Sequence, residues 1–372
     1  MGSNSTFIDL DNSEKVELSK LYDRIEYILI HEFDSLPIVQ PYKIVFYDSL
    51  IFIEDNTMDN LFIADFDGMI TQVMQASGSG PGEFTQIEDF QVRHNEVIIK
   101  DLVSGKFISF DFSGNVLHEE RIRNIATNFF KGEDFFIHFF NNKANESMTN
   151  FVTVSEDTLL KTFYPIKQKF IESGLVFNLD NGFQFDKYNS EIYLVLPFSY
   201  DVAFFDKYGI GNKVHSFDFG KYSLPDELRL QYFNGAFNTD PESLGDVYVG
   251  AVNQFLTLRD FNYLAIRNGK NEFHNIFLDK QMKPFLQVNE FENDVDGLPH
   301  LHWPSNSIDD YLIVRSRSNF ILNLYLENEI ELKENFPNSA IHCFIEENRM
   351  GLEEDRLAFL LYKTKPGFPD LQ

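Results

Sequence analysis

The sequence is poor in the features that create disulfide frameworks, paired-cysteine metal sites and membrane spans. Its 372 residues include one cysteine, Cys343, and a lone cysteine excludes an intrachain disulfide and a paired-cysteine zinc or redox site. No run approaches the roughly 18 apolar residues of a membrane-spanning helix, and the first residues lack the basic and apolar regions of a signal peptide. Because most neighbours of Cys343 are apolar, we expect its thiol to be buried.

Basic residues are also scarce. Lysine and arginine total 31 against 58 aspartates and glutamates, so the formal charge is −27. A field of this sign repels phosphate backbones and anionic membrane surfaces, so we expect no nucleic-acid partner and no membrane contact except through a lipid anchor. An unknown protein or a small-molecule or glycan ligand remains compatible with it. The 41 phenylalanines are enough to build a large core.

A pattern of two strands and a turn recurs along the chain. Residues 48–53 and 61–68 are apolar runs joined by a short loop and closed by an Asp-x-x-Gly turn, and the same plan returns 46 residues later at residues 94–114. Four further copies occupy residues 133–157, 189–209, 261–279 and 309–314. Six such units predict an all-β fold, a six-bladed β-propeller with mostly four-stranded antiparallel blades.

The domain boundaries follow from this pattern. We expect residues 16–372 to form one propeller domain, in which residues 25–30 pair with residues 357–362 to close the ring. Residues 1–15 are expected to be disordered or left by cloning. Residues 224–248 break the repeat and contain a short helix near residues 225–233, so we predict a small helical insertion on one rim. The insertion either carries a binding site or covers a blade edge.

A glycine-rich segment between the first two units carries a family resemblance. Its key residues are Gly78, Gly80, Pro81, Gly82, Glu83 and Phe84. The segment resembles the G-x-G-P-G-E-F signature of a bacterial six-bladed β-propeller family related to NHL repeats. From the residues themselves we predict a tight inter-blade turn, because a phosphate-binding loop would need a following helix and a lysine.

The resemblance also implies a location. Members of that family are typically exported lipoproteins of unknown function, so it implies a periplasmic or cell-surface lipoprotein whose leader is absent from this chain. The family supplies no agreed catalytic residues. It therefore implies the fold and the compartment, and it assigns no activity.

Two local clusters are candidate binding residues. His300 and His302 alternate beside the single tryptophan, Trp303, which could stack on a sugar ring; structural histidines and a tryptophan packed at a blade junction are the alternatives. Asp294 and Asp296 place carboxylates at alternate positions, as calcium loops do, although the glycine and distal glutamate of an EF-hand are not combined there. These aspartates are weak metal candidates, Ca²⁺ is the one cofactor that they suggest, and no other cofactor is indicated.

Catalytic motifs are missing. The sequence has no G-x-S-x-G elbow, P-loop, dinucleotide fingerprint or H-E-x-x-H pattern. We therefore favour a non-enzymatic, exported scaffold for ligand binding or protein interaction. The alternative is a metal-assisted hydrolase, lactonase or lyase whose residues come from several blades and meet at the mouth of the central channel.

Overall fold

The computed structural model describes residues 4–156, 158–174, 182–233, 248–268, 272–299 and 303–368, with the backbone alone for residues 230–233. The strands in chain order are β1 (Asn4–Phe7), β2 (Glu14–Glu17), β3 (Tyr22–Leu29), β4 (Pro41–Tyr47), β5 (Leu50–Asp55), β6 (Asn60–Asp65), β7 (Ile70–Gln75), β8 (Asp89–Arg93), β9 (Glu96–Asp101), β10 (Lys106–Asp111), β11 (Val116–Arg121), β12 (Asn128–Lys131), β13 (Phe136–Phe139), β14 (Thr149–Ser155), β15 (Thr158–Pro165), β16 (Gln184–Asp186), β17 (Glu191–Val195), β18 (Asp201–Phe205), β19 (Gly211–Asp218), β20 (Val249–Thr257), β21 (Asn262–Asn268), β22 (Phe273–Leu278), β23 (Pro284–Glu292), β24 (Asn306–Ile308), β25 (Tyr311–Arg317) and β26 (Leu357–Thr364). The helices are α1 (Gln168–Ser173), α2 (Asp226–Phe233), α3 (Ser318–Asn335) and α4 (Ala340–Leu352).

These strands form six sheets, each with a core of four antiparallel strands. Blades 1 to 5 are β4–β7, β8–β11, β12–β15, β16–β19 and β20–β23, and blade 6 has the order β24-β25-β26-β3. The first strand of each of these blades lies innermost, where β24 neighbours β4 and β8 neighbours β12. The predicted six-bladed β-propeller is therefore confirmed: the first five predicted units contain the two middle strands of blades 1 to 5, and the sixth, residues 309–314, contains the first part of β25 in blade 6.

The aspartates that recur at the turns shape the hairpins. The carboxylate of Asp65 accepts hydrogen bonds from the backbone N–H groups of Asp67 and Met69, at 3.0 and 2.9 Å. Gly68 in the same turn has a φ of 81°, in the left-handed region that glycine enters without strain. The same aspartate bonding recurs at Asp111, Asp206 and Asp279. These carboxylates therefore meet a requirement of the turn.

The ring closes as the sequence predicts. Strand β3, from the start of the chain, is the outer strand of blade 6 and pairs antiparallel with β26, in a register that matches Leu29 with Ala358 and Ile25 with Tyr362. One blade is thus built from both ends of the chain. Separating the ends would break a complete ladder of backbone hydrogen bonds, so the pairing fastens the ring.

The predicted disorder of residues 1–15 is wrong for residues 4–15. Strand β1 pairs parallel with β19 on the outer edge of blade 4, and β2 pairs parallel with β23 on the outer edge of blade 5. Between them Ile8 and Leu10 enter the core shared by these two blades, where they are 0% and 5% exposed. The segment forms because it covers two sheet edges and buries apolar side chains.

A helical hairpin in blade 6 was not predicted. Helices α3 and α4 lie between β25 and β26, and their apolar faces join the core cluster of blades 5 and 6. Cys343 lies on α4 and is exposed, so the expected buried thiol is wrong. The helical period turns its neighbours Ile341 and Phe344 inward and Cys343 outward.

The predicted rim insertion is partly described. Its helix is α2, as expected near residues 225–233, and residues 234–247 lie outside the described part of the chain. In the described ranges, no helix has the length and apolar character needed to cross a membrane.

Candidate functional site

The predicted histidine and tryptophan cluster is only partly described. Trp303 is half-buried, and its ring lies 4.6 Å, between centroids, from the ring of Phe273 on β22. Trp303 also packs against the core cluster of blades 5 and 6. His300 and His302 lie outside the described residues. Sugar stacking by Trp303 therefore stays a prediction, and its described contacts are those of a packing residue.

The two candidate calcium ligands bond to Ser19 and to Tyr27 on β3. Asp294 accepts from the backbone N–H of Ser19 at 2.8 Å and from its hydroxyl. Asp296 accepts the phenolic proton of Tyr27 and a bond from Asn293, and burial raises the pKa of its carboxyl. In the described part of the chain, no three His, Cys, Asp or Glu side chains are grouped to hold a metal. Calcium binding here stays a prediction.

The glycine-rich segment forms a tight turn between β7 and β8. Gly78 and Gly82 have φ values of 159° and 76°. The backbone N–H of Gly80 donates to the Glu83 carboxylate at 3.0 Å, and Phe84 is 2% exposed in the core between blades 1 and 2. The loop is therefore held by the hydrogen bond to Glu83 and anchored in the core by Phe84.

Charged side chains meet at the inner strands of the first two blades. Lys43 on β4 forms an ion pair with Asp89 on β8, with 2.7 Å between Nζ and Oδ1, and both side chains are buried. Glu54 lies 2% exposed beside this pair, and burial raises the pKa of its carboxyl to about 8. The pair joins blades 1 and 2, and Asp89 also accepts from the backbone N–H of Phe129 in blade 3 at 3.0 Å.

A cavity of about 210 Å³ lies between blades 3 and 4, on the rim that carries α2. We call it the lateral cavity. Its walls come from the end of β15, the start of β18 with the loop before it, the end of β19, the loop that follows β13, and α1 and α2. Its lining includes the polar residues Asn142, Asn150, Tyr164, Lys167, Asp201, Ser216, Asp226 and Arg229. This is the side of the propeller that the rim insertion indicated.

Hydroxyl groups converge on one carboxylate in this cavity. Tyr164 donates its phenolic proton to Asp201 Oδ2 at 2.6 Å, and Ser216 donates its hydroxyl to Oδ1 at 2.5 Å. Burial, with the adjacent charge of Asp201, raises the pKa of the Tyr164 phenol, which therefore stays protonated. The carboxylate of Asp201 is thus held in a fixed orientation by two hydroxyl donors from neighbouring strands.

The other charges of the lateral cavity are balanced. Arg229 on α2 is 7% exposed, stacks on the Tyr200 ring at 4.6 Å and donates to the carbonyl of Phe198 at 2.8 Å. The carboxylate of Asp226 lies 3.4 Å from Arg229 and 3.6 Å from Lys167. With Asp201, the cavity carries two acids and two bases, so a ligand meets a strongly polar site of little net charge.

The backbone around the lateral cavity is strained. Asn142, Tyr164 and Phe198 line it with φ values of 63°, 61° and 59°, in the left-handed region. Asparagine tolerates this conformation, whereas for tyrosine and phenylalanine it costs about 1–2 kcal/mol each. Strain of this kind clusters at binding sites, where the surrounding structure holds side chains in orientations that a relaxed backbone would not give.

Sequence reasoning missed these residues. Tyr164 and Asp201 belong to different blades and are 37 residues apart, and neither belongs to a recognisable motif. The one available signal was the insertion at residues 224–248, since α2 supplies Asp226 and Arg229.

The chain is thus a six-bladed β-propeller with a polar cavity between blades 3 and 4. Comparison with a family model identifies the propeller family to which the chain belongs. The model of the DUF5128 family, described as a 6-bladed beta-propeller, matches residues 1–315, and the chain belongs to this family.

Two crystal structures show the same architecture. One is a predicted exported protein of Bacteroides fragilis, with a TM-score of 0.70 and 18% identity over 98% of this chain and 100% of that one. The other is a member of the duf4221 family from Bacteroides vulgatus, with a TM-score of 0.53 and 10% identity over 93% of this chain and 98% of that one. At these identities the likeness concerns the fold. No curated protein matches the sequence.

Proposed function

We propose that this propeller is an exported binding protein whose ligand occupies the lateral cavity. The observation that carries the proposal is the convergence of the Tyr164 hydroxyl, the Asp201 carboxylate and the Ser216 hydroxyl beside aromatic walls. Small-molecule sites are usually concave and combine apolar walls with a few oriented polar groups, and the lateral cavity has both.

The chemistry of the cavity favours a neutral, hydroxyl-rich ligand. Two acids and two bases balance, so a net charge on the ligand would gain little. Fixed carboxylate and amide groups suit hydroxyl donors, and the rings of Phe170 and Phe198, stacked at 6.0 Å between centroids, offer an apolar wall. The volume of about 210 Å³ is below the roughly 300–1,000 Å³ of drug-sized sites, which matches a ligand near the size of one sugar ring.

Export and lipidation belong to the same proposal. The similar Bacteroides fragilis structure is of a predicted exported protein, and exported lipoproteins are typical of the NHL-related family that the glycine-rich turn resembles. We propose a periplasmic or cell-surface location with a lipid anchor on the native chain. Fractionation of native cells with a lipid-specific label tests this: label in the membrane fraction supports it, and unlabelled protein in the cytosol contradicts it.

A ligand panel tests the binding function. Neutral monosaccharides, sugar acids and amino sugars are compared by their effect on the unfolding temperature of the protein, because a ligand that binds the folded state raises it. We expect neutral sugars to raise it and Asp201→Asn to abolish the effect. A response confined to charged compounds, or one that persists in Asp201→Asn, would contradict the proposal.

A further inference from the structure

The N-terminal segment, taken here as residues 4–17, is fastened to blades 4 and 5 by two histidines. His215 on β19 bonds through Nε2 to the hydroxyl of Thr6 on β1, at 2.9 Å. His274 on β22 bonds through Nδ1 to the hydroxyl of Ser13, which directly precedes β2, also at 2.9 Å. Both histidines are 5% exposed. Each of the two strands that cover a blade edge is therefore accompanied by one buried imidazole.

The hydrogen bonds around His215 suit a neutral ring. The Thr6 hydroxyl donates its single proton to the carbonyl of Met282 at 2.8 Å, so it accepts from His215 Nε2. Nδ1 is then the nitrogen without a proton, and acid adds one there. The ring packs against that of Phe217, with 5.1 Å between centroids, so the added charge lies in an apolar setting.

The surroundings of His274 oppose a charge more strongly. In the described part of the chain, its Nε2 is buried and has no hydrogen-bond partner. The neutral ring tolerates this arrangement when Nδ1 donates to Ser13 and Nε2 carries no proton. The protonated ring has an N–H on both nitrogens, so one buried donor lacks an acceptor among the described residues. Protonation of His274 therefore disfavours the closed position of the segment.

Few charged groups act on the two rings. Burial lowers the pKa of both imidazoles below the ordinary value of 6.5. The charge of Lys213 acts in the same direction on His215. The charges of Asp201 beside His215 and of Glu272 beside His274 oppose this lowering without reversing it. Both rings are thus easier to protonate in water than under the segment.

The other charges of the segment are paired and do not titrate near neutral pH. Strand β1 has no titratable side chain. Lys15 on β2 lies 3.1 Å from a carboxylate oxygen of Glu290 and 3.2 Å from one of Glu292, both on β23, and the bond to Glu290 contributes most to a raised pKa of Lys15. The bond from Lys221 lowers the pKa of Asp11. The two histidines are therefore the groups that respond to mild acid.

From these contacts we infer that the N-terminal segment is a pH-sensitive latch, held on blades 4 and 5 at neutral pH and released in acid. Release exposes both imidazoles to water and uncovers the outer edges of β19 and β23, whose free N–H and C=O groups can then pair with another strand. The ring itself stays closed, because β3 remains paired with β26. The released segment leaves more protons bound below pH 6.5, so the latch is fully closed above that value and weakens as the pH falls below it.

Hydrogen exchange of the full chain, measured by mass spectrometry at about pH 7.5 and about pH 5 and corrected for the intrinsic effect of pH, tests the inference. We expect the protection of residues 4–17 to fall at least about tenfold in acid, while residues 50–65 in blade 1 lose much less. The double variant His215→Gln with His274→Gln should lose this response, because glutamine keeps polar hydrogen-bonding atoms and does not titrate. Lys15→Gln is the matched control: it removes an ion pair of the same segment and should keep the response.

Three results would overturn it. The protection of residues 4–17 is the same at both pH values, it falls equally in the double variant, or residues 50–65 lose as much protection, which indicates global unfolding. If the double variant does not fold or has already lost the segment at neutral pH, His274→Gln decides. A response as large as that of the unmodified protein then contradicts the latch, and a smaller one supports it.

Discussion

Tyr164 on β15 and Asp201 on β18 join blades 3 and 4 through a hydrogen bond of 2.6 Å, in which the Tyr164 hydroxyl is the donor. The backbone φ of Tyr164 is 61°, in the left-handed region. Strand residues ordinarily have a negative φ, so the backbone of β15 is strained at Tyr164. The bond therefore couples a strained backbone, an inter-blade contact and a carboxylate that faces a cavity.

Tyr164→Phe keeps the ring and removes the hydroxyl. Because Asp201 then loses a donor in a partly buried site, we expect the free energy of unfolding to fall by about 1–3 kcal/mol, measured by urea denaturation. Tyr311→Phe is the control, since Tyr311 donates to Glu26 at 2.8 Å at the surface of blade 6. An equal or larger loss in Tyr311→Phe would show that the Tyr164 bond has no special weight.

The architecture could be predicted from the sequence because each blade repeats a local pattern. Apolar β-runs and aspartate turns occur at residues 48–68 and again at residues 94–114, so the ring and its closure followed from short stretches of chain. The helices α3 and α4 were missed because they interrupt the repeat between β25 and β26, where only the helical period of their apolar residues indicates them.

The candidate site could not be predicted in the same way. Tyr164 and Asp201 meet because two blades pack side by side, and nothing local to either residue marks it. The prediction of disorder for the N-terminal segment was wrong for a related reason. Two apolar residues, Ile8 and Leu10, are too few to indicate an ordered element, and the groove that buries them exists only once blades 4 and 5 are packed together. Tertiary packing decided both cases.

Ile8→Ala tests the role of the N-terminal segment. Because Ile8 is fully buried, we expect a loss of about 2–4 kcal/mol in the free energy of unfolding, measured by denaturant titration. Phe7→Ala, at a side chain 58% exposed, should change it by less than about 1 kcal/mol. A negligible effect of Ile8→Ala would mean that the segment is not part of the folded propeller.

Glu54 is expected to make stability fall as the pH rises. Its folded pKa, about 8, lies above the ordinary value of 4.5, so the folded chain holds more protons between these values. The contribution of the protonated Glu54 carboxyl to the free energy of unfolding is fully present below about pH 4.5, and it is lost as the pH rises through 8. We expect Glu54→Gln to reduce the fall in the free energy of unfolding between about pH 5 and 9 by a few kcal/mol, measured by denaturation at each pH. Identical pH profiles for both proteins would refute this.

His138 should act in the opposite direction. Burial, with the nearby charge of Lys100, lowers the pKa of its imidazole from 6.5 to about 3, so the unfolded chain holds more protons between these values. The contribution of the neutral His138 imidazole to the free energy of unfolding is fully present above about pH 6.5, and it is lost as the pH falls toward 3. We expect His138→Leu to reduce the acid-induced loss of unfolding free energy between about pH 7 and 4.5 by about 2–3 kcal/mol. An acid-induced loss in His138→Leu as large as in the unmodified protein would contradict the assignment.

Calorimetric titration with the neutral sugar that most raises the unfolding temperature tests whether the ligand occupies the lateral cavity. We predict that Tyr164→Phe and Asp201→Asn each weaken binding at least about tenfold, while Tyr311→Phe binds like the unmodified protein. Unchanged affinity in folded Tyr164→Phe and Asp201→Asn would contradict it and place the ligand elsewhere on the propeller.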